Sequence, residues 1–79
     1  MALRKNDPVN AEYEARAKNL LKSELKRKGV TYARLAELLS QRGVQENERN
    51  LNNKISRGGF SAAFLLLCLD AIGASQITI

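Results

Sequence analysis

Between residues 45 and 58 the sequence Gln-Glu-Asn-Glu-Arg-Asn-Leu-Asn-Asn-Lys-Ile-Ser-Arg-Gly gathers the side chains best suited to chemistry on a macromolecule. Only Leu51 and Ile55 carry apolar side chains in this stretch, four residues apart and so on one face of a helix. At roughly 100° per residue, the opposite side displays Glu46, Arg49, Asn53, Ser56 and Arg57, with Asn50 on the flank. Asparagine can make paired hydrogen bonds to adenine in the major groove, and arginine can do the same to guanine. Arg49, Asn50 and Asn53 are therefore candidate readers of base edges. Lys54, Ser56 and Arg57 complete the candidate set, Lys54 and Arg57 directed at phosphates. A helix with two buried positions must also protrude, because most of its circumference has no apolar reason to be covered.

Catalytic chemistry finds no comparable set. The chain has no histidine and a single cysteine, Cys68, which removes the commonest general base, the usual metal ligands and most nucleophile arrangements. No phosphate-binding or dinucleotide glycine pattern is present, and Gly58-Gly59 suits a helix stop. The expectation is a binding protein with no enzymatic activity, no cofactor and no metal. Cys68 lies in the apolar run 62–69 and reads as a core residue. That run is the longest apolar stretch and falls well short of the roughly 18 residues of a membrane span. The first residues, Met-Ala-Leu-Arg-Lys-Asn-Asp-Pro, place charges and a proline where a signal peptide needs apolar residues, so a cytoplasmic location is expected. Thirteen Lys and Arg against eight Asp and Glu give a net charge of +5, the balance of a protein that meets polyanions.

Four helices are predicted to position these groups, forming one all-α domain over residues 10–74, between a flexible arm (1–9) and a short apolar tail (75–79). The first helix is expected to be capped by Asn10, with Glu12 and Glu14 in its first turn and Gly29 at its end. Its core stripe is Tyr13, Ala17, Leu20, Leu21 and Leu25. The second is capped by Thr31, buries Leu35, Ala36, Leu38 and Leu39, and stops at Gly43. Asn47 caps the third, which runs to Arg57 and ends at Gly58. Ser61 caps the fourth, almost wholly apolar over 62–72, which is expected to be central to a core including Phe64, Leu65 and Leu69.

Several of these residues carry a resemblance. The order Leu20-Leu21-Lys22 and Leu25, then Gly29-Val30-Thr31-Tyr32 with Leu35-Ala36, then Leu51 and Ile55-Ser56-Arg57-Gly58, then Ala71-Ile72-Gly73, resembles the DNA-binding domains of phage-repressor type over roughly residues 18–74. Gly29-Val30-Thr31-Tyr32, Arg49-Asn50-Leu51 and 53–60 more closely resemble a widespread bacterial family of small domains of unassigned function. The first resemblance implies a four-helix, repressor-like helix-turn-helix bundle whose third helix enters the major groove, and hence a DNA-binding transcriptional regulator. The turn 40–44 is longer than in that pattern. Glu46 and Glu48 stand where a recognition helix approaches DNA, which leaves a second expectation: a protein-interaction module on the same scaffold, such as an antiactivator or accessory subunit binding a transcription factor. Lys18, Lys22 and Lys26 recur at i, i+4 spacing on the first helix, as a surface for phosphate, for an acidic partner or simply for solvent. Arg4 and Lys5 could follow DNA into a groove. The isoleucines of the tail suggest a homodimer.

Overall fold

The computed structural model describes residues 7–77, which fold into four helices: α1 (Pro8–Lys28), α2 (Tyr32–Ser40), α3 (Glu48–Arg57) and α4 (Ala62–Ala71). Each start has a side-chain cap for backbone N–H groups that a first turn leaves without a partner. Thr31 Oγ1 accepts from the Arg34 amide at 3.1 Å, Asn47 Oδ1 from Asn50 at 2.8 Å and Ser61 Oγ from Phe64 at 3.0 Å. These are the expected caps.

The start of α1 differs from expectation. Asp7, not Asn10, is the cap, accepting from the Val9 amide at 2.8 Å, and Pro8 occupies the first helical position. Proline suits that position because its fixed φ is already helical and its missing N–H would have had no partner there. Pro8 and Val9 therefore belong to the domain rather than to an arm, and Glu12 and Glu14 lie beyond the first turn. Arg4, Lys5 and the last two tail residues, Thr78 and Ile79, lie outside the described residues.

Leu21 and Leu25 of α1, Leu35 and Leu39 of α2, Leu51 and Ile55 of α3, and Cys68 and Leu69 of α4 form one buried cluster, extended by Ile72 and Ala74. Ala36, Phe64 and Leu65, expected in its centre, pack against it half-buried. Tyr13 departs from its expected place in the core: it is 52% exposed, because α1 is longer than the core it covers. Burial pushes the Cys68 thiol up to about 12. Ile77 rests against the same cluster, and no strand forms among the described residues. None of the described helices is long and apolar enough to cross a membrane.

Helices α3 and α4 each pack on both α1 and α2. α3 runs antiparallel to α1: Gly58 at its end meets Glu14 and Lys18, while Glu48 at its start shares a groove with Lys22 and Lys26.

Candidate functional site

The register of α3 is set at three points. Asn47 fixes its start, Leu51 and Ile55 are fully buried beneath it, and Gly58 terminates it in the left-handed region at φ 72°. Gly58 is doubly constrained, since a β-carbon there would lie 2.6 Å from the Glu14 carbonyl oxygen. The helix is thereby pressed against α1 and rotated so that Arg49, Asn50, Asn53, Lys54, Ser56 and Arg57 are all exposed.

Exposure does not make these six equivalent. Lys54 turns aside: its ammonium lies 2.7 Å from Glu46 Oε2 and 4.9 Å from the centroid of the Phe64 ring. The Glu46 side chain is only 11% exposed, so it does not share the outward face expected of it. It precedes the Asn47 cap, where helical geometry has not begun and a wheel projection does not apply. The Ser56 hydroxyl donates to Asn52 Oδ1 at 3.2 Å, within the helix. Arg49, Asn53 and Arg57 remain as an i, i+4, i+8 stripe with no side-chain partner among the described residues. Asn50 stands on its flank, beside a groove of about 1000 Å³ that also takes in Asn53, Arg57, Glu14 and Phe60.

A stripe of two guanidinium groups around a carboxamide, carried on a rigid helix, can offer paired hydrogen bonds outward. Among the described residues no group of three His, Cys, Asp or Glu side chains stands together to hold a metal ion. The Cys68 thiol, carried on α4, is buried. Lys54's tether to Glu46 and Phe64 was not visible in the sequence, because its partners lie eight and ten residues away on separate segments.

A family model described as a domain of unknown function (DUF6471) matches residues 13–77, and the chain belongs to that family. The match begins within α1 and includes α2, α3, α4 and the segment carrying Ile77. No curated protein and no solved structure matches the chain.

Proposed function

We propose that this chain is a DNA-binding transcriptional regulator in which α2 and α3 form a helix-turn-helix and α3 enters the major groove of duplex DNA. The observation that carries this reading is the stripe of Arg49, Asn53 and Arg57, without side-chain partners among the described residues, on a helix whose buried side chains are Leu51 and Ile55. Long polar side chains held in register, with no partner among the described residues, suit binding something outside the protein. Asn53, between two arginines, suits adenine, and Arg49 suits guanine. Arg57, at the end of the helix, suits a phosphate. Lys54 has a structural task in this reading, and Asn50 has a flanking one.

Selection from a random-sequence duplex library tests the proposal. Arg49→Ala and Asn53→Ala should each lose about 5- to 150-fold on the selected duplex, the equivalent of about 1 to 3 kcal/mol, with little change on random duplex. Folded wild-type protein that enriches no duplex at low salt would overturn it.

A second reading rests on α4. Leu66 is 66% exposed and Ala62 and Ala63 stand exposed one turn before it, giving an apolar strip that a partner protein could cover. Under this reading the chain docks on a protein, such as a transcription factor, and Leu66→Asp abolishes capture of that partner while Arg49→Ala does not.

A further inference from the structure

The distribution of paired and unpaired cations separates one face of the molecule from the rest. Arg27 is bound to Glu24, Arg34 to Glu37, Arg42 to Asp70 and Lys54 to Glu46, while Arg16 stacks on Tyr13. Lys28 lies close enough to Glu24 to lower that acid's pKa further. Among the described residues the cations left without a partner are Lys18, Lys22 and Lys26 of α1 and Arg49 and Arg57 of α3. The antiparallel packing brings the two helices together at both ends: Lys18 adjoins Gly58, the residue after Arg57, and Lys22 and Lys26 line a groove with Glu48, the residue before Arg49.

We infer that Lys18, Lys22 and Lys26 form a rail for the phosphodiester backbone of the DNA strand bordering the groove that α3 enters. This inference rests on the proposed reading of α3 and extends the site onto a second helix. The three lysines recur every four residues, so they span about 12 Å along the α1 axis. Each of the three ammonium groups can meet one phosphate of that strand. Lysine is suited to this task because its ammonium is a point charge on a flexible stem that needs no fixed geometry. Glu48 is the acid of this groove. It stands in the first turn of α3, where the helix dipole favours a negative charge. Strand placement explains why a ridge with no readable hydrogen-bond pattern lies beside a stripe that has one: α3 distinguishes bases and α1 holds the backbone.

The test uses the full-length chain carrying Lys18→Gln, Lys22→Gln and Lys26→Gln, singly and together. Affinity is measured by fluorescence anisotropy for the selected duplex and a random duplex, over about 50 to 200 mM salt. Each substitution should make the slope of log affinity against log salt shallower by about 0.9, and the triple variant by about 2.7. Affinity for both duplexes should fall by the same factor, leaving their ratio unchanged. A triple variant with the wild-type slope would refute the rail, and if Arg49→Ala still lost selectivity the reading of α3 would stand. A loss confined to the selected duplex would also refute it, by making the lysines base-reading. Wild-type protein that bound neither duplex at the lowest salt would remove both proposals together. Matching thermal melts verify folding, and the single variants decide the matter if the triple variant melts early.

Discussion

Gly58 shows how much a single position can decide here. Its φ of 72° is a conformation that costs an ordinary residue about 1 to 2 kcal/mol, and Gly29 at φ 68° carries the same constraint. The two differ in their surroundings. A β-carbon on Gly29 meets nothing within 4 Å, whereas one on Gly58 would strike the Glu14 carbonyl oxygen at 2.6 Å, so that α3 would have to move off α1. Gly29→Ala should therefore cost about 1 to 2 kcal/mol, and Gly58→Ala clearly more, with loss of whatever α3 binds. Equal melting temperatures for the two variants would show that the approach of α3 to α1 is not tight. The sequence marks both glycines as helix stops but does not distinguish them, because the neighbour that makes the difference is more than 40 residues away along the chain.

At the scale of elements, α3 is attached by few interactions and each can be removed. Asn47→Ala deletes the cap on the Asn50 amide and should cost about 1 kcal/mol in chemical denaturation. Leu51→Ala, at a fully buried position, should cost about 2 to 5 kcal/mol, while Leu66→Ala on the exposed side of α4 should change stability little. Similar costs at Leu51 and Leu66 would contradict this arrangement of the core. Most of the elements were legible in the sequence, since Thr31, Asn47 and Ser61 act locally as caps and Gly29, Gly43, Gly58 and Gly73 as stops. The α1 start was not, because Asn10 and Asp7 are both good capping residues and only the placement of Pro8 at the first helical position separates them. Tyr13 followed the same apolar period as Leu21, but periodicity identifies a face and not the point at which the core beneath it ends. The candidate stripe on α3 was legible for the same local reasons as the caps. Its refinement, the withdrawal of Lys54 toward Glu46 and Phe64, depends on tertiary packing.

At the scale of the whole molecule, the titrating groups that bear on stability lie far from neutral pH. Histidine is the side chain whose ordinary pKa falls near neutrality, and the chain has none. On the acid side, Arg27 donates two hydrogen bonds to the Glu24 carboxylate, at 2.6 and 3.3 Å, and holds its pKa below the ordinary value of 4.5. Its contribution is present above about 4.5 and is lost as pH falls through the depressed folded-state value. On the alkaline side, burial raises Cys68 from an ordinary 9 to about 12, and raises Tyr32 above its ordinary 10. Above pH 9 the unfolded chain gives up the thiol proton while the folded chain keeps it, so stability falls as pH rises toward 12. Melting temperature should consequently be level between about pH 5.5 and 8.5 and decline on both sides. Cys68→Ala provides the check, since it should lower the plateau by removing a buried side chain but flatten the alkaline decline, leaving the part due to Tyr32. An alkaline limb unchanged in that variant would show that the thiol is not held in its protonated form by the core. A steep change inside the plateau would require a titrating group that the chain's side chains do not supply.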